Sequence, residues 1–235
     1  MTGSGEEIRR FRNASFLLAA GGICFFSGIF PFFMTGIRPL VPNWVFLLLS
    51  TVPVQAWYIA SGVVPALRHL PGIPLRKTLD LGPVRGRDLA WFLPGTALVY
   101  LLLGLLTGSM VHLLRKAGLP VQEQPVLELF RNGSPAERGI LVFTALFLAP
   151  AGEEICFRFA VFRDLENRVR TVPAALMSAL LFSAAHLNVQ VFPSLFLLSL
   201  WLTALYRKTG SLPAPMAAHA LFNGITFVVL LLCGP

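Results

Sequence analysis

The 235-residue sequence is 55% hydrophobic and 13% charged, and its mean hydropathy is +0.72. A soluble domain carries about 25% charged residues, so this composition excludes a soluble globular protein and predicts a polytopic membrane protein. The net charge of +8 does not indicate nucleic-acid binding, because the basic residues are spread over the connections between apolar segments.

Apolar segments recur along the whole chain, and we expect each of them to form a membrane helix. Seven can be marked, at 14–37, 44–67, 89–114, 139–163, 172–187, 191–206 and 212–233. Several reach the roughly 20 residues that a spanning helix needs, whereas the fifth and sixth are short. The sequence therefore predicts an all-α transmembrane bundle of about seven helices, and it leaves an eighth or a re-entrant piece open.

The basic residues predict how the bundle is oriented. With seven spans and a cytoplasmic N-terminus, thirteen fall on the cytoplasmic side: Arg9, Arg10, Arg12, Arg68, Arg76, Lys77, Arg85, Arg87, Arg163, Arg168, Arg170, Arg207 and Lys208. Five fall on the other side: Arg38, Arg115, Lys116, Arg131 and Arg138. Because an excess of Lys and Arg marks cytoplasmic loops, we expect a cytoplasmic N-terminus, in a bacterial or archaeal cytoplasmic membrane.

Polar residues divide the chain into two parts. Residues 1–138 form an N-terminal cytoplasmic segment and three predicted helices with long loops, in which we find no motif. Residues 139–235 form four predicted helices that carry polar residues inside apolar runs. We therefore expect the second part to be the catalytic core, with an active site buried between its helices.

The first polar cluster is the sequence Pro-Ala-Gly-Glu-Glu-Ile-Cys-Phe-Arg-Phe at 150–159. An ionisable group at the centre of a bilayer costs about 2.5 to 3.5 kcal/mol on insertion scales and usually has a function. On an α-helix Glu154 and Arg158 lie one turn apart on the same face, whereas Glu153 points elsewhere. We expect Glu154 to pair with Arg158 and Glu153 to remain free for chemistry. The alternative is a self-neutralised helix end whose arginine extends to the headgroups.

Two later helices contribute His186, His219 and Asn223. Together with Glu153, these residues lie seven to fourteen residues from the predicted cytoplasmic ends of their helices. At about 1.5 Å per residue their depths differ by about 10 Å, so one buried site could hold all four. Alternatively, each histidine is a hydrogen-bonded interior residue.

A glutamate, two histidines and an asparagine suit the attack of water on an amide bond. A carboxylate can take a proton from water, and a neighbouring histidine can share that water or protonate a leaving amine. A second histidine and an amide can donate hydrogen bonds to a developing oxyanion. Such a site needs no nucleophilic serine or cysteine.

The three motifs resemble those of the CPBP family, which comprises CAAX prenyl proteases and bacteriocin-processing (Abi) intramembrane proteases. They are Glu-Glu-x-x-x-Arg, Phe-x-x-x-His and His-x-x-x-Asn, at Glu153, Glu154, Arg158, Phe182, His186, His219 and Asn223. The resemblance covers about 139–229 and implies a glutamate-dependent intramembrane endopeptidase.

The resemblance also implies a role for each residue. Glu153 would activate water, and His186 would help to hold it. The oxyanion hole would be formed by His219 and Asn223. The supporting residues would be Glu154, Arg158 and Phe182, the first two as a pair and the third packed beside the site.

Cofactor and partners are expectations of the same kind. We favour no metal, although Glu153, His186 and His219 would make a legitimate open zinc site. The expected partners are the lipid bilayer and a membrane-tethered peptide or protein, prenylated or carrying a sorting tail, without nucleic acid; the oligomeric state is left open.

A non-catalytic immunity or scaffold protein and a proton-coupled transporter are the other classes that fit buried ionisable residues.

Overall fold

A computed structural model describes residues 4–121 and 125–233. Within these ranges the chain is all-helical, which confirms the predicted fold class. The helices are α1 Gly5–Leu40, α2 Asn43–His69, α3 Leu75–Thr78, α4 Gly86–Lys116, α5 Pro125–Asn132, α6 Pro135–Val169, α7 Thr171–Ala185, α8 Phe192–Thr209 and α9 Pro213–Cys233. The two predicted parts, 1–138 and 139–235, also include residues 1–3, 122–124 and 234–235, which lie outside the described residues.

All seven predicted apolar segments are helical. Among the described residues, five helices are long and apolar enough to cross a membrane: α1, α2, α4, α6 and α9. The other two, α7 and α8, have 15 and 18 residues. At about 1.5 Å per residue they are shorter than the roughly 30 Å hydrocarbon core of a bilayer, as their short apolar runs indicated. The chain is an integral membrane protein.

Helix α6 begins at Pro135, four residues before the predicted segment, because the sequence Ser134-Pro135-Ala136-Glu137 forms a capping box. The Ser134 hydroxyl accepts from the backbone N–H of Glu137 at 3.3 Å, and the Glu137 carboxylate accepts from the backbone N–H of Ser134 at 2.7 Å. These two bonds satisfy donors that would otherwise be unpaired, and proline is favoured at the first helical position.

Helix α6 is the central element of the bundle. It packs against α1, α2, α7, α8 and α9. Half of its most apolar stretch is buried, compared with 22% or less in the other four spanning helices. Two stretches of α6 are π-helical, Thr144–Leu148 and Glu154–Phe162. All nine residues of the second are buried, so the Glu-Glu-x-x-x-Arg motif lies in the core.

The connection between α2 and α4 is tied to the other end of the chain at Asp80. Its carboxylate accepts from Arg163 Nη1 at 2.9 Å and from the Tyr206 hydroxyl at 2.6 Å. Its carbonyl accepts from the backbone N–H of Leu212 at 2.9 Å. One residue therefore joins this loop to α6, to α8 and to the start of α9.

Candidate active site

The imidazole of His219, on α9, lies between the two adjacent glutamates of α6. Its Nδ1 is 3.0 Å from Glu154 Oε1, and its Nε2 is 3.8 Å from Glu153 Oε2. The carboxylate of Glu154 can only accept, so Nδ1 carries the hydrogen and donates. The two glutamates leave α6 in different directions, as the sequence predicts, yet the two edges of one ring reach both.

Glu154 and Arg158 form a completely buried ion pair, with 3.0 Å between Glu154 Oε2 and Arg158 Nε. The N–H of Nε does not point at that oxygen, so the contact is electrostatic rather than a hydrogen bond. Arg158 Nη2 donates to the carbonyl and hydroxyl oxygens of Ser199 at 3.3 and 3.2 Å, and the guanidinium lies 4.7 Å from the centre of the Phe182 ring. The alternative in which Arg158 extends to the membrane surface does not fit a side chain with no exposed area.

Glu153 has one engaged and one free carboxylate oxygen. Its Oε1 accepts from Gln55 Nε2, on α2, at 3.3 Å. Its Oε2 is buried and has no hydrogen-bond partner among the described residues. Buried carboxylate oxygens are normally hydrogen-bonded, so this oxygen can still accept from a proton donor such as water.

His186 lies one residue past the end of α7 and is exposed. Its Nδ1 donates to the carbonyl of Phe182 at 2.7 Å, which leaves Nε2 without a hydrogen in the neutral ring. Within the described residues no hydrogen bond joins His186 to Glu153. The Phe182 ring links the two histidines instead, with its centre 4.8 Å from the ring centre of His186 and 6.2 Å from that of His219.

Asn223, one turn after His219, binds the backbone of α6. Its Nδ2 donates to the carbonyl of Ala145 at 2.8 Å. Ala145 belongs to the first π-helical stretch, where the N–H of Ala149 bonds five residues back to Thr144. In that register the partner of Ala145 would be residue 150, which is proline and has no N–H. The Asn223 amide therefore satisfies a carbonyl that proline leaves unpaired.

The comparison with protein families matches the region that holds these motifs. Residues 135–225 match the family described as type II CAAX prenyl endopeptidase Rce1-like. This part of the chain is similar to that protease family. The match confirms the resemblance drawn from the sequence and includes Glu153, Glu154, His186, His219 and Asn223. No curated protein and no solved structure matches the chain.

The Rce1-like region does not arrange its side chains as a zinc site. Among the described residues, no three His, Cys, Asp or Glu side chains lie close enough together to hold a metal ion. The alternative zinc set of Glu153, His186 and His219 does not form such a group.

A cavity of about 380 Å³ opens between α1, α2 and the end of α7. Its lining includes Val54 and Tyr58, close to Gln55 in the sequence, and Ala185, which precedes His186. Arg38 also lines it. The volume falls within the range of about 300 to 1,000 Å³ that is typical of small-ligand sites.

Sequence reasoning missed Gln55, which lies 80 residues before the Rce1-like region. The residue belongs to no motif, so only its amide inside an apolar helix could have drawn attention to it. Nothing in the sequence indicates that this amide turns towards α6.

Proposed function

We propose that this protein is an intramembrane endopeptidase in which Glu153 activates a water molecule to hydrolyse a peptide bond of a membrane-tethered substrate. The observation that supports this best is the buried, unpartnered Glu153 Oε2 beside His219 Nε2, at 3.8 Å. The matched family is one of CAAX prenyl endopeptidases, so peptide hydrolysis at a membrane agrees with the region that carries these residues.

In the proposed first step, a water molecule donates a hydrogen bond to Glu153 Oε2. Glu153 takes that proton while the water oxygen forms a bond with the carbonyl carbon of the substrate. The carbonyl oxygen becomes an oxyanion. Glu153 then returns the proton to the amide nitrogen, the C–N bond breaks, and the products are a carboxylic acid and an amine. One C–O bond forms and one C–N bond breaks, and the enzyme forms no covalent bond with the substrate.

His219 stabilises the oxyanion in this proposal. Because Glu154 holds the hydrogen on Nδ1, Nε2 can donate only when the ring carries both hydrogens. The carboxylates of Glu153 and Glu154 together balance the charge of that ring and of the Arg158 guanidinium. The second Nδ2 hydrogen of Asn223 is available as a further oxyanion donor, since Ala145 takes only one.

His186 and Phe182 act at the edge of the site. Phe182 is fully buried and holds both imidazoles apart. His186 follows the cavity residue Ala185 in the chain, and we assign its Nε2 to the water or the substrate that approaches Glu153. The proposed substrate is a peptide or protein that the bilayer holds, with a prenyl group or a hydrophobic sorting tail.

The purified protein in lipid nanodiscs tests this function directly. It would be incubated with a panel of farnesylated and unmodified tail peptides, with and without a strong chelator, and the products identified by mass spectrometry. We expect cleavage of at least one lipidated peptide at a single bond, unaffected by the chelator. Failure of a folded protein to cleave any peptide would contradict a protease and favour the non-catalytic alternative. Loss of cleavage with the chelator would favour the zinc-dependent version.

A further inference from the structure

We propose that Gln55, on α2 and outside the Rce1-like region, is a positioning residue for Glu153. This inference depends on the proposed function, because it assigns Gln55 to the same reaction. It extends the site to a helix in which the sequence shows no motif.

The contact between the two side chains is buried and direct. Gln55 Nε2 lies 3.3 Å from Glu153 Oε1, and Gln55 is 7% exposed. The opposite orientation of the amide would place its oxygen against a carboxylate oxygen, and neither atom could donate. The chemistry therefore requires the amide nitrogen to face Glu153, as the structure has it.

Gly152 allows α2 to come this close to α6. A Cβ atom at position 152 would lie 2.3 Å from Gln55 Oε1, 3.1 Å from its carbonyl oxygen and 3.3 Å from its Cα. A rotation of the Gln55 side chain would relieve the first contact at the cost of its bond to Glu153, and the other two would still push the backbone of α2 away by a few tenths of an ångström. The glycine before Glu153 is thus a requirement for the contact between Gln55 and Glu153.

The bond from Gln55 fixes which oxygen of Glu153 can react. A carboxylate rotates freely about its last bond unless one oxygen is held. With Oε1 bound to Gln55, Oε2 stays directed towards Nε2 of His219 at 3.8 Å. Loss of the N–H donor would let the carboxylate turn, and misplacement of a reacting group by about 1 Å can reduce the rate about 100-fold.

The amide oxygen of Gln55 gives the residue a second use. Gln55 Oε1 is buried and has no hydrogen-bond partner among the described residues. A buried acceptor without a donor is unfavourable, so a ligand that offers an N–H or O–H group is favoured there. A water molecule beside Glu153 meets that need.

Loss of a positioning glutamine should lower kcat, whereas loss of a purely structural glutamine should not. We would compare Gln55→Leu, which keeps the size but removes both hydrogen-bonding groups, with Gly152→Ala, which keeps the amide but separates the helices. The matched control is Thr51→Val, one turn earlier on α2, whose hydroxyl donates to Leu47 within its own helix.

The readout is the kcat and KM for the peptide that the natural protein cleaves fastest. We expect Gln55→Leu and Gly152→Ala to lower kcat about 10- to 100-fold and to leave KM within about twofold, because they misdirect a reacting group rather than remove a binding group. Thr51→Val should keep the natural kcat. An unchanged kcat in Gln55→Leu, or an equal loss in Thr51→Val, would overturn the proposal.

An infrared measurement examines the contact without any substrate. The carboxyl stretching band of Glu153 is identified as the band that disappears in Glu153→Gln. We expect this band to shift in Gln55→Leu and to remain in place in Thr51→Val, because only the first variant removes a hydrogen bond to the carboxyl group. A band that Gln55→Leu leaves unmoved would refute the contact even if no peptide is cleaved. A shifted band in a protein that cleaves nothing would instead place the failure in the proposed function.

Discussion

His219 is the residue that connects the ionisable groups of the site. One ring nitrogen lies 3.0 Å from Glu154 and the other 3.8 Å from Glu153. Glu154 is therefore shared between His219 and Arg158, and it has a double role. It directs the imidazole, as a carboxylate commonly does for a working histidine, and it neutralises a buried guanidinium.

Replacement of Glu154 by glutamine should affect both stability and rate. Glu154→Gln leaves the completely buried Arg158 without its counter-ion, which typically costs about 3 to 5 kcal/mol of folding free energy. We expect a lower thermal midpoint in detergent and a reduced kcat, because the ring of His219 loses its charge partner. The double variant Glu154→Gln/Arg158→Met should recover much of the stability but not the kcat. Recovery of both would show that Glu154 is only structural.

Sequence reasoning predicted part of this cluster and missed the rest for a geometric reason. The spacing of Glu154 and Arg158 along one helix was enough to predict their contact. Contacts between helices depend on how the helices rotate and approach one another, which spacing along one helix does not contain. Hence the link from His219 to both glutamates, the contact of Gln55 and the separation of His186 from Glu153 emerged only from the structure.

Helix α6 is unusual because it contains two π-helical stretches. The first leaves the Ala145 carbonyl without a backbone partner, because Pro150 has no N–H, and Asn223 fills the gap at 2.8 Å. Short π stretches inside α-helices are often found at functional sites. Nothing in the sequence indicates them, because the uncharged run at 139–152 has no polar periodicity from which a change of helical register could be read.

A double-mutant cycle examines this role of Asn223. Asn223→Leu should lower stability by about 1 to 3 kcal/mol, since it leaves a partly buried carbonyl unsatisfied. In a Pro150→Ala background the new N–H can serve Ala145, so the same substitution should cost much less. Thermal midpoints of the four proteins in one detergent give the coupling. Strictly additive effects would contradict a shared carbonyl.

Across the whole molecule, Asp80 connects the loop between α2 and α4 to α6, to α8 and to the start of α9. Its backbone φ is +52°, a left-handed conformation that Asn and Asp adopt more readily than most residues. Asp80→Asn should therefore keep the conformation and the bond from Tyr206, whereas Asp80→Ala loses both partners. We expect Asp80→Ala to cost about 1 to 3 kcal/mol, and Asp80→Asn clearly less, because the ion pair with Arg163 is partly exposed. Equal thermal midpoints for all three proteins would rule out a structural role of Asp80.

The number of spans predicts where the ends of the chain lie. Both the five helices of spanning length and the seven apolar segments are odd in number, so the termini should lie on opposite sides of the membrane. The excess of basic residues predicts that the N-terminus lies in the cytoplasm. Reporter fusions at each end should show a cytoplasmic N-terminus and an external C-terminus. Two termini on the same side would require another crossing or a helix that does not cross.

The role of Glu153 as the group that activates water is tested by comparing the kcat of Glu153→Gln with that of Glu128→Gln. Glu128 is an exposed glutamate on α5, so its replacement controls for the loss of one charge elsewhere. We expect Glu153→Gln to insert and purify normally and to lose activity about 10²- to 10⁴-fold, since an amide cannot take a proton from water. Glu128→Gln should retain the natural kcat. A Glu153→Gln protein that cleaves the peptide as fast as the natural protein would remove Glu153 from the mechanism.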